Sequence, residues 1–339
     1  MTTSNEPVLS VRGLTVHSGA GAAVRDVSFE IPRGSRAGIV GESGCGKSML
    51  ALAIMRLLPY GWRSNGSVTL DGTDLLTLRD REMDARRGMA LSMIFQDPTS
   101  SLNPTRQVGR QIADVIARHL GKDRRRAREE AEELLRKMRL PRPASLMRSY
   151  PHQLSGGQCQ RLMIAIALAC DPTLLVADEP TTALDVSVQK DVLELLNHEI
   201  QGRDCSLLLI SHDLAVIASM CDMVCVMYAG RIVEQGPVAE VFSAPQHPYT
   251  AALLGAQPAP VSPGERARPD MLPTIPGYVP SLKDIPSGCA FRPRCSRATD
   301  ICEQVPNLKG ECHRAACWHP LAPQARGENR PITGGTDVG

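Results

Sequence analysis

Aromatic side chains are scarce in this chain of 339 residues: four Phe, five Tyr and two Trp make up 3% of it. Any interior built from it is therefore mostly aliphatic. No run of about 18 uncharged apolar residues occurs, which argues against a membrane-spanning helix. The net charge is only +2, and no face is visibly basic. Nothing in the charge points to a nucleic-acid partner. The first residues, "MTTSNEPVLSVRGL", lack the charged start and apolar stretch of a secretory signal. The chain is expected to be soluble and cytosolic, where thiols stay reduced and a disulfide framework is disfavoured. Against that expectation stand eleven cysteines. Five of them, Cys289, Cys295, Cys302, Cys312 and Cys317, fall within residues 288–320.

Hydrophobic residues at 42% and charged residues at 22% are ordinary for a globular protein. The length suits one large domain with an appendage. "VLSVRGLTV" and "AVRDVSFEI" alternate as strands of a small antiparallel sheet. "SRAGIV" (35–40) reads as a buried strand and "SMLALAIMRLL" (48–58) as a helix. "GSVTLDG" (66–72) reads as a strand with its turn, and residues 105–150 are rich in helix. In "KDRRRAREEAEELLRKMRL", Leu134, Leu135 and Met138 share one helical face, the mark of a solvated helix with one buried stripe. "TLLVAD" (173–178) and "SLLLIS" (206–211) fit parallel strands buried on both faces. "MVCVMYAGRIVEQG" (223–236) predicts a hairpin turning at Ala229-Gly230. From about Ala256 prolines recur, as expected of a linker or extended arm.

"GESGCGKS" (41–48) lies between a predicted strand and a predicted helix, the context a phosphate-binding loop requires. Gly41, Gly44 and Gly46 let the backbone turn its N–H groups toward phosphate oxygens, with Ser43 and Cys45 between them. Lys47 supplies a positive charge to the terminal phosphates, and Ser48 offers a hydroxyl to Mg²⁺. Cys45 could be a thiol with a lowered pKa at the helix terminus or, more plainly, a small loop filler. "LLVADEP" (174–180) puts an acidic pair at a strand's carboxyl end, where ligands of open α/β sheets bind. Asp178 suits the Mg²⁺ shell and Glu179 suits the base that orients an attacking water.

"LSGGQCQR" (154–161) resembles the signature of ATP-binding cassette (ABC) proteins. Gln96 in "IFQDP" matches the family's Q-loop, Asp185 in "ALDVS" (183–187) its D-loop, and His212 in "ISHDL" its switch histidine. The resemblance covers roughly residues 8–255. It implies an α/β nucleotide-binding domain: a P-loop NTPase core, an antiparallel β subdomain and a helical subdomain over about 100–165. It also implies ATP held between two cassettes that meet head to tail. Ser155, Gly156, Gly157 and Gln158 would then meet the γ-phosphate held by the partner, with Asp185 at the interface. His212 would hold γ-phosphate and water in register with Glu179. Gln96 would contact the metal and nucleotide and relay to the membrane subunits. In "LTVHSGAGAAV" no Tyr or Phe stands where the family stacks adenine; His17 could stack there or be an exposed loop histidine.

"IFQDPTSSLNP" (94–104), "YPHQLSGG" (150–157), "ADEPTTALDVSVQ" (177–189) and "HPYTAALLGAQP" (247–258) together look like the ATPase subunits of dipeptide and oligopeptide permeases. "ALAIMRLLP" (51–59) and "RLMIAIALACDP" (161–172) resemble the D-type subunit. The implied assembly has a second, homologous ATPase, two transmembrane permease subunits and an extracytoplasmic binding protein, with this chain peripheral on the cytoplasmic face of the inner membrane. Other members of the group carry nickel, glutathione, opines or metallophores. Cassette ATPases that act on nucleic acid carry a long coiled-coil insertion or two fused cassettes, and neither is present here.

The cysteine spacing Cys289-x5-Cys295-x6-Cys302-x14-Cys317 misses the close pairs of structural zinc and suits an iron–sulfur cluster better. "GCAFRPRC", "DIC" and "HRAAC" look like a C-terminal segment of peptide-permease ATPases that carries a 4Fe–4S cluster. On that resemblance Cys289, Cys295, Cys302 and Cys317 are its ligands, with Cys312 a bystander or substitute. His313 and His319 are either zinc ligands or solvated. The expected divisions are an ATPase domain over 1–255, a proline-rich arm over 256–286, the cysteine segment over 287–323 and a disordered tail over 324–339.

Overall fold

The structure, a computed structural model, describes residues 6–182, 184–256 and 274–322. The expected tail over 324–339 and residues 257–273 of the proline-rich arm lie outside them. The chain begins with two long strands, β1 (Pro7–Ser18) and β2 (Gly21–Pro32), then β3 (Arg36–Val40) and helix α1 (Lys47–Ile54). Next come β4 (Arg63–Leu70), β5 (Thr73–Asp74), α2 (Asp80–Arg86) and β6 (Leu91–Ile94). A helical stretch follows: α3 (Pro98–Ser101), α4 (Val108–Leu120), α5 (Arg124–Lys137), α6 (Pro143–Leu146) and α7 (Gly156–Leu168). The core resumes with β7 (Leu174–Asp178), α8 (Val186–Gln201), β8 (Ser206–Ile210), α9 (Leu214–Met220), β9 (Met223–Tyr228) and β10 (Arg231–Pro237). Helices α10 (Val238–Ser243) and α11 (Pro248–Gly255) and a two-residue strand β11 (Arg314–Ala315) complete it.

Two sheets form. One is antiparallel, in the order β2-β1-β4-β5; the other has seven strands in the order β11-β10-β9-β3-β8-β7-β6. In the larger sheet β9, β3, β8, β7 and β6 run parallel, and the β9–β10 and β10–β11 pairs are antiparallel. Successive side chains of a strand point to opposite faces. Leu207 and Leu209 of β8 accordingly enter a core shared with the helical stretch, whereas Leu208 and Ile210 enter a core shared with α1 and the antiparallel sheet. Strands β7 and β9 divide the same way. Both faces are covered, which is why these strands read as unbroken apolar runs.

The helix expected over 48–58 stops at Ile54. Arg56 takes the left-handed conformation, φ 50°. The Leu57 amide closes back on the Leu52 carbonyl at 2.8 Å. This is a helix-ending turn that normally uses glycine. Arg56 is held there because its guanidinium donates to the carbonyls of Leu75 (3.2 Å) and Leu78 (2.6 Å). The helical face over Leu134, Leu135 and Met138 is buried as expected, and the hairpin turns at Ala229-Gly230.

The cysteine segment docks on the preceding domain and extends its sheet. Strand β11 pairs with β10 through Glu234 and Gln235, and the Ala316 amide donates to the Val233 carbonyl at 2.8 Å. Phe291 is buried among Tyr228, Tyr249 and His247, with ring centroids 5.3, 5.4 and 6.0 Å away. Glu234, with no solvent exposure, accepts from the Gln246 and His247 amides (2.6 and 2.9 Å) and bonds His313 Nε2 at 2.7 Å. His313 is thus a strut between segment and sheet and not a solvated side chain. His319 Nε2 lies 2.6 Å from Thr299 Oγ1.

Phe291→Ala should lower unfolding stability by about 3 kcal/mol or more. Denaturant titration of the two proteins checks this, with limited proteolysis reporting release of residues 287–322. Burial pushes His247 down to about 4 from 6.5. The unfolded chain therefore binds the proton more tightly, and stability is intact above pH 6.5 and lost as pH falls from 6.5 toward 4. That gap corresponds to about 3 kcal/mol. His247→Gln should flatten the acid limb of the stability profile, measured from pH 4 to 8.

Candidate functional site

Strands β3, β8 and β7 are neighbours and parallel, so their carboxyl ends open on the same edge. The loop over 41–48 leaves β3, Asp178 and Glu179 end β7, and His212 follows β8. Gly41 has φ 155°, and a Cβ there would lie 2.2 Å from the Met227 carbonyl oxygen. Only glycine lets the loop turn against β9. Ser43 and Gly44 form its exposed tip, and Gly46, φ 105°, caps α1. Lys47 is 5% exposed, with its Nζ donating to the carbonyls of Gly41 (2.8 Å) and Glu42 (3.1 Å). Cys45 is buried. Burial raises its thiol pKa despite the Lys47 charge nearby, so it fills the inside of the loop and is not an activated thiol.

Asp178 is 4% exposed. Burial raises its carboxyl pKa, opposed by the neighbouring Ser48 hydroxyl. Its Oδ1 is buried without any hydrogen-bond partner. A buried, partnerless carboxylate oxygen beside a hydroxyl is costly unless a cation completes it. Ser48 and Asp178 therefore fit Mg²⁺, a hard ion that takes oxygen ligands.

The next residue, Glu179, has a left-handed backbone, φ 48°, of the kind that functional sites maintain at a cost. Its Oε2 accepts from Thr182 Oγ1 at 2.8 Å and Gln96 Nε2 at 3.3 Å, and lies 3.3 Å from His212 Nδ1. Gln96 and His212 thus meet on one carboxylate, although they lie 116 positions apart in the chain. Thr182 joins them and was missed from the sequence. Its only signal is a hydroxyl three residues after the acid in "DEPTT", within reach of a carboxylate at a turn.

The signature residues sit elsewhere. Ser155 caps α7, accepting from the Gln158 amide at 3.4 Å, while Gln158 Oε1 accepts from the Ser155 amide at 3.0 Å. The capping box satisfies the Ser155 and Gln158 amides at the N-terminus of this 13-residue helix and leaves those of Gly156 and Gly157 without a helical partner, and Ser155 and Gly156 are exposed. With Gly157, Gln158 and Asp185 they line a surface cavity of about 460 Å³, and no residue of 41–48 borders it. His17 is half-buried, its Nε2 lying 3.3 Å from Asn65 Nδ2.

The expectation of a 4Fe–4S cluster is overturned. Cys289, Cys295, Cys302 and Cys317 do border one cavity, together with His247 and Trp318, but its volume is about 10 Å³. That is room for at most one water. Among the described residues no group of three or more His, Cys, Asp or Glu side chains could hold a metal ion. All eleven cysteines are free. Burial raises the thiol pKa of Cys289 and pushes that of Cys317 up to about 11. The segment is secured by its contacts with the cassette. The turn before Cys289 is tight enough that a Cβ on Gly288, φ 75°, would lie 2.3 Å from the Cys302 carbonyl oxygen. Cys312 is exposed.

Two family models match the chain: ABC transporter over residues 24–182, and oligopeptide/dipeptide transporter, C-terminal region, over residues 233–302. It is 46% identical over 324 residues to the probable D,D-dipeptide transport ATP-binding protein DdpD of Escherichia coli, covering 93% of this chain and 97% of the relative. It is likewise 46% identical over 301 residues to the oligopeptide transport ATP-binding protein OppD of Salmonella typhimurium, covering 88% of each. Among solved structures, a dimeric ATP-binding cassette in a post-hydrolysis state, bound to ADP and Pi, superposes with a TM-score of 0.60 at 25% identity, over 68% of this chain and 98% of that one. At this identity and coverage, the chain is an ABC-type ATPase and belongs to the family of ATP-binding subunits of dipeptide and oligopeptide ABC transporters.

Proposed function

We propose that this chain hydrolyses ATP to power an importer of di- and oligopeptides, as the names of its relatives suggest. The observation that carries its catalytic part is the meeting of Gln96, Thr182 and His212 on Glu179, next to the buried and partnerless Asp178. The N–H groups of 41–48 and the Lys47 ammonium bind the β- and γ-phosphates. Ser48 and Asp178, with Gln96 on the rim, hold Mg²⁺, which when bound neutralises phosphate charge. Glu179 accepts a proton from the attacking water as its oxygen bonds to the γ-phosphorus. The bond from that phosphorus to the bridging oxygen breaks, and its electron pair leaves on ADP, releasing phosphate. His212 and Thr182 keep the Glu179 carboxylate turned toward the water, and His212 also steadies the γ-phosphate.

Ser155, Gly156, Gly157, Gln158 and Asp185 serve a partner's nucleotide. Their separation from 41–48 within one chain supports this reading, as do the Gly156 and Gly157 amides that the capping box leaves over at the helix terminus. The partners are a second, homologous cassette, two permease subunits and, through them, an extracytoplasmic binding protein. The chain sits peripherally on the cytoplasmic face of the inner membrane; among its described residues no helix is long and apolar enough to cross one. Residues 1–255 form the ATPase domain, with a helical subdomain over about 100–165. Residues 287–322 form a docked C-terminal segment.

In vesicles that carry the whole transporter, ATP-driven uptake of a labelled dipeptide should disappear with Lys47→Ala; undiminished uptake overturns the reading. Glu179→Gln should lower kcat by roughly a hundredfold or more while ATP still binds, measured by steady-state hydrolysis beside equilibrium binding. Asp178→Asn removes a buried charge. It should raise the stability of the nucleotide-free protein at pH 7 by about 1 kcal/mol and abolish the further stabilisation by Mg²⁺ and ATP, both read from thermal unfolding.

A further inference from the structure

Arg294 lies in the C-terminal segment, far from the nucleotide motifs in sequence, yet its guanidinium reaches the phosphate loop. Nη1 and Nη2 donate to the two carboxylate oxygens of Glu42 at 2.7 and 3.0 Å. Nη1 also donates to Tyr228 Oη (3.3 Å), Nη2 to the Ile275 carbonyl (3.3 Å) and Nε to the Pro276 carbonyl (2.7 Å). An arginine has five N–H donors in a fixed fork. Here five acceptors from three stretches of chain meet them, and the side chain is 5% exposed.

Glu42 is the second residue of the loop and is gripped on three sides. Its carboxylate is held by Arg294, and its amide donates to Tyr249 Oη at 2.9 Å. Its carbonyl accepts from Lys47 Nζ at 3.1 Å. The pair therefore acts on the loop in two ways. It holds the backbone that aims Lys47, and it neutralises a carboxylate that would otherwise stand beside the phosphates of ATP.

We propose that Arg294 is a positioning residue of the nucleotide site, which through Glu42 makes the affinity of the phosphate loop for ATP depend on the docked C-terminal segment. The proposal rests on the assignment of 41–48 as the ATP site. Neutralisation gives it a signature that a merely structural role lacks. With Arg294 removed, the uncompensated Glu42 repels phosphate, and removing that second charge restores binding.

The test measures ATP–Mg²⁺ binding and hydrolysis by the full chain. Arg294→Ala should weaken ATP binding on the order of tenfold and raise KM more than it lowers kcat. Arg294→Lys, which keeps the charge but not the fork, should fall between it and the unaltered protein. The double variant Arg294→Ala/Glu42→Gln should recover most of the lost affinity. ATP affinity unchanged in Arg294→Ala overturns the proposal. So does a double variant that binds no better than Arg294→Ala. Should Arg294→Ala not fold, the comparison of Arg294→Lys with Arg294→Lys/Glu42→Gln decides in the same way. Lys47→Ala serves as the separate control: if it binds ATP as the unaltered protein does, the loop assignment itself fails, whatever Arg294 does.

Discussion

Hydrogen bonding among β3, β8 and β7 is the constraint on which the rest of the site depends. These strands are parallel and adjacent, with Ile39 opposite Ile210 and Asp178 also opposite Ile210 in the ladders. Each strand therefore delivers its carboxyl end to the same edge. Two bonds past the strand ends carry the register further: the Glu179 amide to the Ile210 carbonyl (2.9 Å) and the Ser211 amide to the Ile39 carbonyl (3.1 Å). The loop over 41–48, the acidic pair and His212 are brought to one edge by this ladder. Burial of both faces of the sheet keeps the ladder dry and its spacing fixed.

Two clusters of buried polar groups bear on the site. One is the nucleotide site, where Asp178 keeps an oxygen without a partner. The other is the seam between cassette and C-terminal segment, where Glu234 is satisfied by two amides and a histidine. Arg294 belongs to both, since it crosses the seam and ends on the loop. An ion pair this enclosed adds little net stability beyond an apolar contact of the same shape, but it fixes a geometry. At this seam the geometry it fixes is that of the loop residue whose carbonyl holds Lys47.

The C-terminal segment shows why cysteine spacing alone misled. Spacing along a chain states how far apart thiols can be, not what they pack against. Here the segment buries Phe291 in an aromatic cluster and adds a strand to the sheet. A stretch this irregular has little core of its own, so a covalent or metal staple is a natural expectation. The cassette supplies the missing core.

The sequence by itself determined the family, the α/β class and the main strands. It also pointed to Gln96, Glu179 and His212, which meet at the site. Glycine turns, apolar runs and an acidic pair after a strand are local patterns with local physical causes, and local causes are visible in a linear string. The early end of α1 was not visible, because Arg56 holds a left-handed backbone through the distant carbonyls of Leu75 and Leu78. Nor were Thr182 on Glu179, His313 on Glu234 or Arg294 on Glu42. The last two pairs join residues 79 and 252 positions apart, and the pairing of such residues exists only once the chain has folded. Only the tertiary structure decided that the segment behind the prolines is part of the cassette, because that depends on which buried charges and rings find partners when the sheet is complete.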